Sequence, residues 1–333
     1  MEKFDVVVIG SGPGGYPAAI RAAQLGASVA IVEKEAIGGT CLNWGCIPTK
    51  TLIASSDLYA RMQHASELGL SAGKASFDYA AMAARKKSVV EKLQGGVSQL
   101  LKGNGVKVFK GRGSFAARNR IVVTGAAGEE TVEAGSTIIA TGSDGVMPRF
   151  LPKSPRVVGS REFLELTQLP ASLLVLGGGV IGCEFACMAA QLGVKVTVVE
   201  LLVDIVMVVD EEVRRELRRQ MEKVLGIRVL TGKPLEKIEA TGAKVTGMFG
   251  DEKLEAEMLL SAVGRRPVTD GLALDKAGLA ATDKGAIEVD KTCRTKVAGI
   301  FAIGDVTAGS TQLAHAATAQ GVTAAENAVK KTR

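Results

Sequence analysis

The sequence predicts an α/β fold built on two dinucleotide-type βαβ units, and three observations carry the prediction. Phe4–Ile9 and Leu173–Leu176 are short runs of branched apolar residues, the pattern of buried parallel strands. Each run leads directly into a glycine loop that opens a helical stretch. The loops are Gly10-Ser11-Gly12-Pro13-Gly14-Gly15 and Gly177-Gly178-Gly179-Val180-Ile181-Gly182. Glu33 lies 23 positions beyond Gly10, and Glu200 lies 23 beyond Gly177. An acid at about 20 residues' offset ends a Rossmann-like unit, so the unit occurs twice.

Composition agrees. A chain of 333 residues that is 47% hydrophobic is long enough for two cores. Forty glycines against nine prolines fit tight turns between regular elements rather than a disordered chain. The net charge of +6 comes from 41 basic and 35 acidic residues that are largely interleaved, as in Asp210–Arg219. That pattern reads as a solvated helix face with i,i+4 pairs. Only 4% of residues are aromatic, too few for base-stacking platforms, so nucleic acid is not expected as a partner. No apolar run approaches the roughly 18 residues of a membrane span, and no signal peptide is evident, so a cytoplasmic protein is expected.

The elements follow in order. After the first loop, Ala18–Leu25 reads as a helix ended by Gly26, and Ser28–Val32 as a strand closing on Glu33. Helices are expected over Pro48–Met62 and Asp78–Lys102, and strands over Val106–Phe109, Ile121–Val123 and Thr137–Ala140. Gly142–Pro155 reads as an irregular crossing segment. The second loop opens a helix to Leu192, followed by the strand Lys195–Val199 and Glu200. Short alternating strands are expected from Arg228 to Ser261, a buried strand over Gly299–Ile303, and an Ala-rich helix over Gln312–Lys330.

The chemistry starts from the loops. Gly10 and Gly177 permit the tight turn, Gly12 and Gly179 let the backbone approach a pyrophosphate, and Gly15 and Gly182 let helix and strand pack closely. Helix N-termini add free N–H groups and a positive dipole end. Glu33 and Glu200 suit a ribose with a free 2′-hydroxyl. A carboxylate at Glu200 repels a 2′-phosphate, and Leu201-Leu202-Val203 supplies no arginine, so NAD is expected over NADP.

Five cysteines in a chain of this length do not make a disulfide scaffold. Cys41 and Cys46 lie beyond the first loop in Gly39-Thr40-Cys41-Leu42-Asn43-Trp44-Gly45-Cys46-Ile47-Pro48-Thr49-Lys50. They are either two packing residues or a dithiol that exchanges electrons with a cofactor. Their place beside a dinucleotide loop favours the dithiol. Cys46 is expected to open the helix that carries Lys50. Cys183 and Cys187, on the predicted helix after the second loop, read as packing residues, and Cys293 has no assigned role. Neither His64 nor His315 has a zinc-ligand spacing, so no metal is expected.

With these pieces placed, the sequence resembles the pyridine nucleotide-disulfide oxidoreductases, and within them the dihydrolipoamide dehydrogenases. The Gly39–Lys50 segment carries the closest match. Ala140-Thr141-Gly142, Gly264-Arg265-Arg266-Pro267, Ala302-Ile303-Gly304-Asp305 and Leu313-Ala314-His315-Ala316 match as well.

The resemblance implies an FAD-binding domain of residues 1–143 and 268–333, with an NAD-binding domain of residues 144–267 inserted in it. It implies FAD on the first loop, with Glu33 on its ribose and Asp305 on its ribityl chain. Leu313 and Ala314 lie at the helix start facing the flavin, and Gly39, Thr40, Lys50, Gly113, Thr141 and Gly142 belong to the cofactor-binding set. NAD falls to the second loop, Glu200 and Gly264. Cys41 exchanges with substrate, Cys46 faces the flavin, and Lys50 pairs with Glu184. The implied partners are dihydrolipoamide or a lipoyl domain, together with small-molecule electron acceptors.

Three departures stand out. The family's chain continues into an interface domain that carries a His-Glu acid–base pair and forms a homodimer. This sequence stops at Arg333, so a monomer lacking that domain, with NADH diaphorase or oxidase activity and little lipoamide turnover, is expected. Val180 stands where the family commonly has Tyr, and Ser143-Asp144-Gly145 lacks the usual Pro. The competing readings are an inert FAD-binding scaffold and a related glutathione- or mercuric-type reductase.

Overall fold

The computed structural model describes residues 1–71 and 73–332, with side chains as far as Lys330. The chain divides into two compact units, residues 1–43, 90–144 and 266–333 in one and residues 44–89 and 145–265 in the other.

In the first unit a parallel sheet runs, in spatial order, Lys107–Lys110, Val29–Glu33, Glu2–Ile9, Gly128–Ile139 and Ile300–Ala302. The central strand is buried over Val6–Ile9, and Val29–Glu33 is buried throughout, as a parallel strand covered on both faces must be. The first half of Gly128–Ile139 also pairs antiparallel with Arg120–Gly125, which pairs with Arg112–Ala117.

Apolar patterning marks only the core of this meander, at Ile121–Val123 and Thr137–Ala140. Arg112–Ala117 is an alternating strand whose inward positions are Gly113 and Phe115, and a glycine gives no apolar signal. The helices Gly15–Gln24 and Ala314–Thr332 pack closely. A Cβ on Gly321 would lie 2.3 Å from the Gly14 carbonyl oxygen, so this crossing requires glycine. Thr318 Oγ1 donates to the Pro13 oxygen at 2.8 Å, and Arg21 pairs with Glu326.

The second unit repeats the plan. Its parallel sheet runs Arg228–Thr231, Lys195–Glu200, Ser172–Leu176, Met258–Ser261 and Val157–Gly159. A three-stranded antiparallel sheet, Glu236–Thr241, Lys244–Phe249 and Glu252–Ala256, accounts for the short strands expected there. The helix Val180–Gln191 covers the parallel sheet, and Cys46–Gln63 packs on that helix, where Ser56 Oγ donates to Gln191 Oε1 at 2.7 Å. This packing is why residues 44–89, read from the sequence with the first domain, group with 145–265. Among the described residues no helix is long and apolar enough to cross a membrane.

Candidate functional site

The two glycine loops have nearly the same geometry, at an offset of 167 positions between Gly10 and Gly177. Gly10 has φ +100° and Gly177 φ +107°, a region costly for any side chain. A Cβ on Gly10 would lie 2.4 Å from the Ala140 oxygen, and one on Gly177 2.5 Å from the Ala262 oxygen. A Cβ on Gly15 would lie 1.9 Å from the Gly10 oxygen, and one on Gly182 2.0 Å from the Gly177 oxygen. These four glycines are therefore sterically required. Gly12 and Gly179 differ: a Cβ on Gly12 would meet only Gly39 Cα, at 4.0 Å, and one on Gly179 would meet nothing within 4 Å. They face open space at the start of a helix, the place where a diphosphate must approach the backbone.

Each loop is tied to its acid. Glu33 Oε2 accepts the Ser11 N–H at 2.9 Å and the Ser11 hydroxyl at 2.6 Å, while Oε1 accepts the Glu35 N–H at 2.9 Å. In the second unit Glu200 Oε2 accepts the Gly178 N–H at 2.6 Å, and Oε1 accepts the Leu202 N–H at 2.8 Å. Both carboxylates are oriented by the N–H and O–H donors they accept, with lone pairs to spare for ribose hydroxyls. The open glycine cradle and the fixed carboxylate fit the adenosine diphosphate half shared by FAD and NAD.

In the first unit Thr141 and Gly142 follow the end of Gly128–Ile139, and Asp305 follows the end of Ile300–Ala302. Thr141 Oγ1 donates to the Val268 oxygen at 2.6 Å, and Gly142, at φ +70°, accepts the Val268 N–H at 3.0 Å. Asp305 sits in the short turn Gly304–Val306, and its Oδ2 accepts the Ser143 hydroxyl at 2.6 Å. The pairing of Ser143 with Asp305 leaves no mark in the sequence, because 162 positions separate the two. Leu313 is exposed, and Ala314 begins the last helix. Gly113 packs on the sheet, where a Cβ would lie 3.1 Å from Ile9 Cγ2 and 3.2 Å from Val32 Cγ1.

Thr40 and Cys41 lie on a helix the sequence reading lacked, Gly39–Trp44. Gly39, at φ +61°, rests on the first loop, with its Cβ position 2.5 Å from Gly12 Cα. Asn43 braces the turn by donating to the oxygens of Gly39 at 2.9 Å and Ile37 at 3.1 Å, and its own oxygen accepts from Gln94. The hydroxyl of half-buried Tyr16 titrates above its usual range, through burial and then the nearby Cys41 charge.

In the second unit Cys46 is the first residue of the helix Cys46–Gln63, where free N–H groups and the dipole favour a thiolate. Four residues on, Lys50 Nζ donates to Glu184 Oε1 at 3.2 Å. Gly264, at φ +128°, has open space on its Cβ side and accepts the Val146 N–H at 2.9 Å. Val180 is 52% exposed at the first turn after the second loop.

Cys183 and Cys187 behave differently. Cys183 is buried, donates to the Gly178 oxygen at 3.4 Å, and is pushed up to about 12 by burial and then by Cys187. Cys187 is pushed up to about 11, mainly by burial. Both stay protonated at neutral pH, as packing residues do. Among the described residues no group of three or more His, Cys, Asp or Glu side chains is placed to hold a metal ion.

Known proteins share this arrangement. The family model described as pyridine nucleotide-disulphide oxidoreductase matches residues 4–321. The dihydrolipoyl dehydrogenase of Halobacterium salinarum is 44% identical over 331 residues, covering 97% of this chain and 69% of the relative. That of Chlamydia pneumoniae is 42% identical over 328 residues, covering 98% and 70%. The crystal structure of LpdA from Mycobacterium tuberculosis superposes with a TM-score of 0.90 at 29% identity, over 99% of this chain and 73% of that one. The chain thus spans about 70% of the length of these curated relatives. Paired glycine cradles, each with its fixed carboxylate, and a match that runs through both units lead to one conclusion: the chain belongs to the pyridine nucleotide-disulphide oxidoreductase family, a flavoprotein disulfide oxidoreductase of the dihydrolipoyl dehydrogenase type whose cofactors are FAD and NAD(H).

Proposed function

We propose that this chain passes reducing equivalents between NAD(H) on the second loop and a Cys41–Cys46 disulfide, with FAD on the first loop as intermediary. The observation that carries the reading is the duplicated loop-and-carboxylate geometry at Glu33 and Glu200, in one chain with a cysteine pair whose second member heads a helix. When bound, the two cofactors supply hydride transfer between nicotinamide and isoalloxazine rings. The protein's residues bind, orient and set charge. Gly12 and Gly179 admit the diphosphates, and Glu33 and Glu200 hold the riboses. Asp305, oriented by Ser143, takes the ribityl chain. Gly39, Thr40, Gly113, Thr141, Gly142, Leu313 and Ala314 complete the first site, and Gly264 the second.

Cys46 is the thiol on the flavin side, stabilised as a thiolate by its helix N-terminus, and Cys41 exchanges with the substrate. Glu184 fixes the Lys50 ammonium, which favours negative charge near the redox pair. The domain reading of residues 1–143 and 268–333 for FAD and 144–267 for NAD goes with this assignment.

Dihydrolipoamide or a lipoyl domain is the proposed dithiol substrate. Dyes and oxygen are the simpler acceptors, since transfer to them needs only the cofactor sites. Dihydrolipoamide turnover by the 333 residues alone is proposed to be weak. Of the two histidines, His64 follows the far end of the Cys46–Gln63 helix, roughly 27 Å from Cys46 at 1.5 Å per residue, and pairs with Glu67 at 2.8 Å; His315 is exposed. We place the chain in the cytoplasm, where thiols stay reduced and a disulfide is catalytic.

The test is anaerobic titration with NADH, following the flavin spectrum and the thiol count together. The reading requires two additional thiols on the first equivalent of NADH, with the electrons passed on from the flavin, and flavin bleaching on the second. A flavin that bleaches on the first equivalent with no change in thiols removes Cys41 and Cys46 from the relay, and the absence of both bleaching and new thiols identifies an inert scaffold.

A further inference from the structure

The sequence offers no arginine immediately after Glu200, but the fold brings two to that end of the second unit. Arg214 and Arg218 stand one turn apart on the helix Glu211–Arg219, and both reach Asp204. Arg214 Nη1 lies 3.4 Å from Asp204 Oδ2, and Arg218 Nη1 lies 3.2 Å from Asp204 Oδ1. Arg218 Nε also pairs with Glu222 at 3.2 Å, and Arg214 Nη1 meets Met207 Sδ at 3.0 Å. Arg214 Nε is buried with no hydrogen-bond partner among the described residues, so this guanidinium has donor capacity that its present site leaves unused.

Asp204 belongs to the nucleotide loop. It follows Glu200 by four positions. A Cβ on Gly178 would lie 3.1 Å from Glu200 Cβ and 2.7 Å from Ile205 Cγ2, so the ribose carboxylate and the neighbour of Asp204 border one glycine. The Val206 N–H donates to the Gly178 oxygen at 2.8 Å. Val206 holds φ +39°, a costly conformation for a β-branched residue that persists only where the surroundings impose it. Asp204 Oδ1 also accepts the Ile205 N–H at 2.9 Å. The carboxylate that receives both arginines is therefore held against the second glycine loop.

We propose that Asp204 determines nucleotide specificity as a positioning residue, by holding Arg214 and Arg218 in ion pairs that keep both guanidinium groups from a 2′-phosphate on the adenosine ribose. Discrimination against NADPH then has two parts. Glu200 repels the phosphate directly, and Asp204 occupies the cations that would receive it. Arginine forks are the side chains best matched to phosphate, so their sequestration matters more than their number. Asp204 and Glu222 are the acids that pair with these arginines. The inference rests on the assignment of the second loop and Glu200 to NAD(H).

The experiment measures kcat/KM for NADH and NADPH in dye reduction by the FAD-loaded protein. Glu200→Gln is compared with Glu200→Gln/Asp204→Asn, because Asn keeps the acceptor for the Ile205 N–H. Asp204→Ser serves if the Asn form does not accumulate. The expected result is a further rise of about tenfold in NADPH relative to NADH on adding the Asp204 change, the scale of one new charge-assisted contact. Adding Arg214→Gln and Arg218→Gln should return NADPH use to the level of Glu200→Gln alone. An unchanged ratio on removing Asp204 overturns the proposal. So does a gain that survives loss of both arginines, which would mean simple removal of negative charge. Gly179→Leu separates the underlying assignment: if it leaves NADH reduction intact, the nucleotide binds elsewhere. If it abolishes reduction while the ratio is indifferent to Asp204, only the Asp204 proposal fails.

Discussion

Glu200 accepts the backbone N–H of Gly178 at 2.6 Å, repeating in the second unit the bond that Glu33 makes with the Ser11 N–H at 2.9 Å in the first. The carboxylate is fixed before any nucleotide arrives, and its second oxygen is fixed by Leu202. A preorganised acceptor loses little entropy on meeting a ribose and strongly opposes a phosphate at the same place. NADH should therefore reduce the protein far faster than NADPH at low concentration. Glu200→Ala should narrow the gap, chiefly by raising the KM for NADH. Equal rates with the two nucleotides in the parent protein would sink the reading.

The first loop makes the matching prediction for flavin. The purified protein should be yellow, with one tightly held FAD per chain. Gly12→Val should abolish flavin retention while leaving the far-ultraviolet circular dichroism intact, because its Cβ position borders open space. Gly15→Val should instead prevent folding, because its Cβ position lies 1.9 Å from a carbonyl oxygen. Identical behaviour of the two variants would show that the cradle is structural rather than a binding surface.

Both loops and both acids were legible in the sequence because a βαβ unit keeps them within one short stretch. The Gly39–Lys50 segment also stands out as one short stretch, although its helix Gly39–Trp44 does not: Gly38 and Gly39 look like breakers, and the helix start is set by the packing of Gly39 on Gly12 and by the Asn43 hydrogen bonds across the turn. The relationships that escaped are long-range. Ser143 meets Asp305, and Arg214 and Arg218 meet Asp204, only after the sheets assemble, and no local periodicity announces either. The assignment of residues 44–89 to one unit or the other depends on helix packing, which linear order does not encode.

The buried cysteines predict an alkaline limit to stability. A thiol raised from 9.0 to about 12 at Cys183, and to about 11 at Cys187, stays protonated in the folded chain after the unfolded chain has begun to ionise. Above about pH 9 the unfolded state binds fewer protons, so stability present below that pH is lost progressively as pH rises toward 11–12. Urea midpoints at pH 8, 9.5 and 10.5 should fall, and Cys183→Val should flatten the decline. A decline as steep in the variant would assign the effect to other groups.

The same protonation gives the sharpest test of which cysteines form the redox pair. Cys41 and Cys46 are half-buried in the segment beside the first loop, whereas Cys183 and Cys187 resist ionisation within the helix after the second. Thiolates, not thiols, attack disulfides and alkylating agents. After anaerobic reduction by NADH, brief iodoacetamide treatment near pH 7.5 should label Cys41 and Cys46 and leave Cys183 unmodified. Cys41 should react first, as the exchanging thiol. The unreduced protein should lose both labels together, since a disulfide removes two thiols at once. Cys46→Ser should leave Cys41 reactive before and after reduction while NADH-to-dye transfer continues, because that transfer needs the cofactors and not the dithiol. Labelling of Cys183 and Cys187 in place of Cys41 and Cys46, gained on reduction, would place the redox pair on the wrong helix and overturn the assignment.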